Sequence, residues 1–198
     1  ADLGADYSAY GIKANNKTTI VVDSNKTNPG KNGTITIKAK TLWSPSGDSG
    51  SKYTAAHGIA VGNFSQRFNK KVSEDLVKTT INADVVIEEL RGGSIKTTGI
   101  SSMDCSDLAI NGRFTIKPGA ISLMQWNRGD QSKTYGIYMI GSNNTISIAS
   151  ADIDDSKNGS LSDLIKTDES LWGGKTEKNV LRIGGGTLKV KENQKERY

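Results

Sequence analysis

Short runs in which apolar and polar residues alternate recur along the chain, and each is entered through a pair of Gly or Asn residues. They read Asn32-Gly33-Thr34-Ile35-Thr36-Ile37, Gly92-Gly93-Ser94-Ile95-Lys96, Asn111-Gly112-Arg113-Phe114-Thr115-Ile116, Asn143-Asn144-Thr145-Ile146-Ser147-Ile148 and Gly185-Gly186-Thr187-Leu188-Lys189-Val190. A period of two predicts a strand with one buried and one wet face, and the entry pair supplies residues that tolerate positive φ in a tight turn. The alternation also assigns faces. Ile35, Ile37 and Ala39 are expected inside with Thr36, Lys38 and Lys40 outside; Phe114 and Ile116 oppose Thr115 and Lys117, and Leu188 and Val190 oppose Lys189 and Lys191.

The second residues of the five entries are 60, 19, 32 and 42 residues apart. Three of these four intervals lie near multiples of about twenty, which predicts a stack of roughly eight to ten coils, each needing only a few inward side chains. A second element, an aromatic ring followed by Gly-Ile, occurs at Tyr10-Gly11-Ile12, His57-Gly58-Ile59 and Tyr135-Gly136-Ile137. Two of its copies lead into another strand, at Thr19-Ile20-Val21-Val22 and Thr145-Ile146-Ser147-Ile148, so each coil holds at least two strands. The fold predicted is all-β, a parallel β-helix (β-solenoid) with short loop and helix excursions, in one unit over 1–198. A two-sheet sandwich alternates in the same way and is the structural rival. Longer loops are expected near 44–52, 63–80 and 152–175. Two short helices are expected as excursions: one begins at the capping-box pattern Ser160-Leu161-Ser162-Asp163 and ends at Leu171-Trp172-Gly173-Gly174, the other includes Ser73-Glu74-Asp75-Leu76-Val77.

Composition sharpens this picture. In 198 residues, Ser, Thr, Asn and Gly number 75, against a hydrophobic fraction of 34%. Too much of the chain forms turns for a helical bundle or an ordinary α/β enzyme. Only 3 prolines and many bounded Ile/Val/Leu/Thr clusters argue against disorder. The net charge of +5 is laid out in blocks: 11 basic against 6 acidic residues over 1–80, 6 against 6 over 81–149, 2 against 6 over 150–174 and 7 against 3 over 175–198. The lysines do not interleave with aromatic residues, and no zinc-finger or helix-turn-helix pattern occurs, so nucleic acid is not an expected partner. Nor is direct membrane insertion, as no apolar run is long enough to cross a bilayer. The single cysteine, Cys105, allows no intrachain disulfide, and its acidic neighbours Asp104 and Asp107 disfavour the thiolate.

The Tyr-Gly-Ile and His-Gly-Ile openings, the Asn-Gly-Thr-Ile-Thr-Ile strand entry, the stretch Asn82-Ala83-Asp84-Val85-Val86-Ile87, the abundance of Ser, Thr, Asn and Gly and the scarcity of Cys together resemble autotransporter passenger domains of the pertactin type. The resemblance extends over nearly the whole chain. It implies a right-handed parallel β-helix displayed on the outside of a Gram-negative cell by type V secretion, with adhesion to a host cell-surface or matrix protein as the common role. It implies the passenger portion alone, since neither an export signal nor a C-terminal membrane barrel is recognisable.

Candidate chemistry is sparse. Arg128-Gly129-Asp130 is an integrin-recognition tripeptide that presents a guanidinium and a carboxylate one residue apart; Gly between charged residues is equally ordinary in a β-turn. Asp154, Ser156 and Asn158 place oxygens at alternate positions like the front of a calcium loop, with Gly159 at the sixth position. Ile165 stands where the bidentate carboxylate belongs, so the expectation is a weak calcium site at most, with an Asx-turn as the competing account and no other cofactor. The outward lysines Lys38, Lys40, Lys96, Lys117, Lys189 and Lys191 follow strand entries at comparable positions and could align into a basic stripe for an anionic glycan, or only keep a long β surface soluble. For catalysis, the sole histidine, His57, takes the place of Tyr in its motif and is expected to be a stacking ring rather than a general base. Glu88-Glu89-Arg91 and Asp152-Asp154-Asp155 are the acidic clusters that a lyase or tailspike-like glycosidase would need, and neither carries a diagnostic motif. A non-catalytic surface adhesin or presentation stalk is the function expected, with a carbohydrate-active β-helix enzyme as the alternative.

Overall fold

The computed structural model describes residues 9–22, 33–40, 55–62, 76–92, 96–123, 133–156, 161–168 and 178–189, and every element among them is a strand. In chain order these are β1 (Ala9–Ala14), β2 (Thr18–Val21), β3 (Thr34–Lys40), β4 (Ala56–Gly62), β5 (Val77–Asn82), β6 (Asp84–Gly92), β7 (Lys96–Met103), β8 (Ser106–Ile116), β9 (Ile121–Leu123), β10 (Lys133–Ile140), β11 (Thr145–Asp154), β12 (Asp163–Asp168), β13 (Val180–Ile183) and β14 (Gly186–Lys189). All pairings among them are parallel. That removes the antiparallel sandwich, because a parallel neighbour cannot be reached by a hairpin.

The strands form two sheets. The first has five strands in the order β1-β4-β7-β10-β12, and the second has nine, with β2, β5, β8, β11 and β13 side by side and β3, β6, β9 and β14 continuing beside them. The chain visits the first sheet once, crosses to the second, and returns, so each hydrogen-bonded level, or rung, takes one strand from the first sheet and the rest from the second. Register stacks like residues. Ile12, Ile59, Ile100, Ile137 and Ile165 are successive partners in the first sheet. Ile20, Ile81, Ile110, Ile148 and Ile183 form a second column, and Ile37, Ile87, Ile116 and Ile153 a third. These columns, with Val85, Leu90, Leu108, Phe114 and Ile121, make one buried core between the sheets. Each fully buried isoleucine contributes about 1.5–3 kcal/mol of burial free energy, which is how a meagre apolar fraction suffices.

The faces assigned from the alternation agree with the burial of Ile37, Ala39, Phe114 and Ile116; Leu188, on the last described rung, is 42% exposed. Val190 and Lys191 lie outside the described residues. The repeat length differs from expectation. Successive partners are 47, 41, 37 and 28 residues apart from Tyr10 through His57, Thr98 and Tyr135 to Asp163, and 61, 29, 38 and 35 apart from Ile20 to Ile183. The described chain therefore holds five rungs, not eight to ten of about twenty residues. The Gly and Asn entries mark three kinds of corner, which is why their spacing misled. Gly33, Asn111-Gly112 and Gly185-Gly186 lie at a bend within the second sheet, Asn143-Asn144 lies at the crossing from the first sheet to the second, and Gly92 ends β6 before the return to the first.

The helix expected after Ser160 is replaced, over Asp163–Asp168, by β12. Its register against β10 sets Ile165 on Ile137, the Ser162 amide donates to the Thr134 hydroxyl at 2.9 Å, and Leu164 is buried over Gly136. Pairing with an existing sheet outweighs a local capping pattern. Of the second expected helix, Val77 opens β5, and residues 73–75 lie outside the described set. β5 falls within the stretch expected as a loop at 63–80, and the end of β11 and all of β12 within that at 152–175; the loop expected at 44–52 lies outside the described residues.

Candidate functional site

Charged side chains concentrate on the outer face of the second sheet, and two local irregularities put them there. In β6 the register against β3 shifts between Ile37 and Lys38, so that Ile37 faces Ile87 while Lys38 faces Glu89. Glu88 is the extra residue of a β-bulge, and the bulge turns both Glu88 and Glu89 to the surface where strict alternation would bury one. On the next rung Lys117-Pro118-Gly119-Ala120 forms a turn closed by the Ala120 amide donating to the Lys117 carbonyl at 2.9 Å. Pro in the second position and Gly at φ +72° in the third are the residues a type II turn requires. Between bulge and turn lies a cavity of about 310 Å³ lined by Lys38, Glu88, Glu89, Arg91, Lys117, Gly119 and Ser122.

Each carboxylate in this groove lies between two cations. Glu88 pairs with Lys38 at 3.1 Å and with Lys117, and Glu89 pairs with Lys40 at 2.9 Å and with Arg91 Nε at 2.9 Å. The Lys117 ammonium, then Lys38, holds the Glu88 carboxyl below its ordinary range, and Lys40 does the same for Glu89. The pattern continues along the stack: Arg113 meets Asp152 at 3.4 Å and Lys189 meets Asp154 at 3.4 Å. Lys38, Glu88, Lys117, Asp154 and Lys189 thus alternate in sign over five successive rungs.

The expected stripe is therefore partly assembled and partly neutralised. Lys38, Lys40, Lys117 and Lys189 share the second sheet, each with a carboxylate partner, while Lys96 belongs to the first sheet. Of the calcium-like oxygens, Asp154 Oδ1 accepts from the Ser156 amide at 3.1 Å and from its hydroxyl at 2.6 Å, and Oδ2 faces Lys189. This is Asx-turn geometry. Asn158 lies outside the described residues, and among the described residues no group of three His, Cys, Asp or Glu converges on a metal position. Asp155 turns inward, where it is buried and accepts from the Leu161 amide at 3.1 Å. Arg128, Gly129 and Asp130 also lie outside the described residues.

A second cluster occupies the outer face of the first sheet. His57 stacks on Tyr10 with ring centroids 5.3 Å apart at 19°, as expected from its motif, and its Nδ1 is 2.7 Å from the Thr98 hydroxyl. Lys13 Nζ lies 4.6 Å from the Tyr10 ring centroid. Lys96 donates to the Tyr138 hydroxyl, which donates to Asp168 Oδ2 at 2.9 Å; Lys166 adds an ion pair to Asp168 at 3.4 Å. Burial first, then the charges of Lys13 and Lys96, pushes the His57 imidazole down to about 4, so it is neutral at pH 7. The unfolded chain takes up a proton near the ordinary value of 6.5 and the folded chain only near 4, so stability present above pH 6.5 is lost as pH falls toward 4. The difference in unfolding free energy between wild type and His57→Phe, which keeps the stacked ring, is expected to change by about 3 kcal/mol between pH 7 and pH 4. Urea titrations at the two pH values measure it, and a pH-independent difference would refute the assignment.

The sequence identified the lysines and acidic clusters separately but not their partnership, which depends on residues 50 and 29 positions apart becoming rung neighbours through the bulge. No protein-family model matches the chain, and neither a curated protein nor a solved structure is significantly similar to it.

Proposed function

We propose that the chain is a right-handed parallel β-helix of the autotransporter passenger type, displayed at the cell surface as an adhesin or presentation stalk that binds host, matrix or glycan ligands without catalysis. The parallel stack with alternate visits to two sheets supports the fold in this reading. The observation that carries the function is the state of the groove carboxylates. A glycosidase needs one carboxyl raised enough to carry a proton at neutral pH, and Glu88 and Glu89 are both held low by paired cations. Among the described residues, the carboxyl raised by burial is that of Asp104, which is buried at a corner with Oδ1 accepting from the Ser142 amide at 3.2 Å and does not line the groove. A glycan and matrix-protein binding array, read in parallel with an assay for new reducing or unsaturated sugar ends, tests the reading. Retention on at least one ligand class without chain cleavage is expected; release of sugar ends would contradict it.

A further inference from the structure

The core is open at the first rung. Its apolar members there, Ala9, Ile12, Ile20, Val22 and Ile35, are only partly buried, whereas Val85, the partner of Ile35 on the second rung, is fully buried. Among the described residues β3, the longest strand of that rung, pairs with β6 alone. Alternate residues of β3 therefore direct their backbone N–H and C=O groups to an edge with no strand beside it. Thr34, Thr36, Lys38 and Lys40 are exposed along this strand. Every charged side chain among the described residues of the first rung is a lysine: Lys13, Lys17, Lys38 and Lys40.

The strand already paired with β3 shows which chemistry β3 accepts. In β6, Val85, Ile87 and Leu90 enter the core, while Glu88 and Glu89 pair with Lys38 and Lys40. An ammonium group has three donors, so each of these lysines can serve a carboxylate on either side of its strand. A second copy of the chain is a poor occupant of the open edge. Stacked end to end, its Leu188 would continue the column of Ile37 and its Lys189 would fall beside Lys38; paired through its own β3 it would set lysine against lysine. Like charges directly opposite one another oppose strand pairing.

We propose that the free edge of β3 is a strand-addition site for an extended segment of a partner protein in which apolar and acidic residues alternate. This deepens the adhesin reading and rests on it. The segment adds a parallel strand about 4.8 Å from β3. Its backbone takes up the open N–H and C=O groups, its apolar side chains cover Ile35 and extend the core, and its carboxylates meet Lys38 and Lys40. Backbone pairing supplies affinity, and the alternation of apolar and acidic positions supplies selectivity.

A fluorescein-labelled peptide of alternating Val and Glu, read by fluorescence polarisation against the whole chain, is the probe. It is expected to bind at least about tenfold more tightly than two peptides of equal length: one of alternating Val and Lys, and the Val/Glu peptide N-methylated throughout, which keeps its charges but has no N–H to pair. Lys38→Gln/Lys40→Gln should weaken binding about tenfold, while Lys78→Gln, the same change on β5 away from this edge, should leave it unchanged. Circular dichroism establishes that each variant is folded. At saturation, amide hydrogen exchange should slow in β3 and not in β14. Equal binding of the plain and N-methylated Val/Glu peptides, or protection absent from β3, would overturn the site. Retention of the chain on matrix proteins or glycans with no binding of the Val/Glu peptide would also overturn it, leaving Lys38 and Lys40 as guards of the edge and the adhesin reading standing. Peptide binding at β3 with no retention on the array would keep the site and refute the adhesin reading.

Discussion

Gly99→Val is expected to cost about 4 kcal/mol or more, a large share of the roughly 5–15 kcal/mol that holds a typical domain folded. A Cβ at this position would lie 2.6 Å from the Gly136 carbonyl oxygen and 2.7 Å from Ile116 Cδ1. The first contact is with the backbone of the next rung and the second with a side chain of the opposite sheet, so neither rung nor sheet can yield alone. The same arrangement recurs at Gly58, whose added Cβ would meet Ile87 Cδ1 at 2.4 Å and the Gly99 carbonyl oxygen at 2.6 Å, and at Gly11 against Ile37. A glycine column in the first sheet thus receives the third isoleucine column of the second. Urea denaturation followed by circular dichroism measures the cost. Trimming the neighbour in a Gly99→Ala/Ile116→Val double variant should recover part of it, because the two positions share one contact. A Gly99→Val midpoint equal to wild type would mean that the sheets do not approach this closely.

Asn144→Ala is expected to cost about 4 kcal/mol through a different mechanism, the loss of a buried hydrogen-bond network. Asn144 is fully buried at the crossing from β10 to β11. Its Nδ2 donates to the Ile140 carbonyl at 2.9 Å and to Asn179 Oδ1 at 3.0 Å, and its Oδ1 accepts from Ser106 at 2.8 Å and Ser102 at 3.4 Å. Asn179, its counterpart on the next rung, also accepts from the Asn144 amide at 3.0 Å and donates to the Gly141 carbonyl at 2.7 Å. Removing the Asn144 side-chain amide takes four hydrogen bonds away from partners on three rungs at once, each worth about 0.5–1.5 kcal/mol. Hydrogen exchange should show protection falling first at Ser106 and Val180, the residues beside the corner, if the corner is the weakened element. Uniform loss across both sheets would contradict that, and a thermal midpoint unchanged from wild type would contradict the network itself.

Much of the fold was legible because alternation is a local signal. Ile37, Phe114 and Ile116 face inward and Lys38, Thr115 and Lys117 outward as their spacing predicts, and His57 stacks where its motif placed it. The misses share a physical cause: they depend on which distant residues become rung neighbours. The Gly-Ile column was read at Gly11, Gly58 and Gly136 but not at Gly99, because Thr98 there replaces the aromatic ring that drew attention to the others. The dipeptide alone would have found it. The 160s were expected to be helical since Ser160 and Asp163 form a good local cap, and nothing local reveals that Ile165 will stack on Ile137. The lysine stripe was visible as a surface pattern, yet its neutralisation requires the bulge at Glu88, which alternation treats as an error of phase.

The strands stack in the order β3, β6, β8, β11, β14, with Thr36, Val86, Thr115, Asp152 and Thr187 as successive partners. Nitroxide labels on cysteines at Thr36, Thr115 and Thr187, in a Cys105→Ser background, report it through pairwise dipolar distances. The expected backbone separations are about 10 Å for Thr36 to Thr115, about 10 Å for Thr115 to Thr187 and about 19 Å for Thr36 to Thr187, additive along one line. A Thr36 to Thr187 distance no longer than either of the other two, or three distances that do not add, would contradict it.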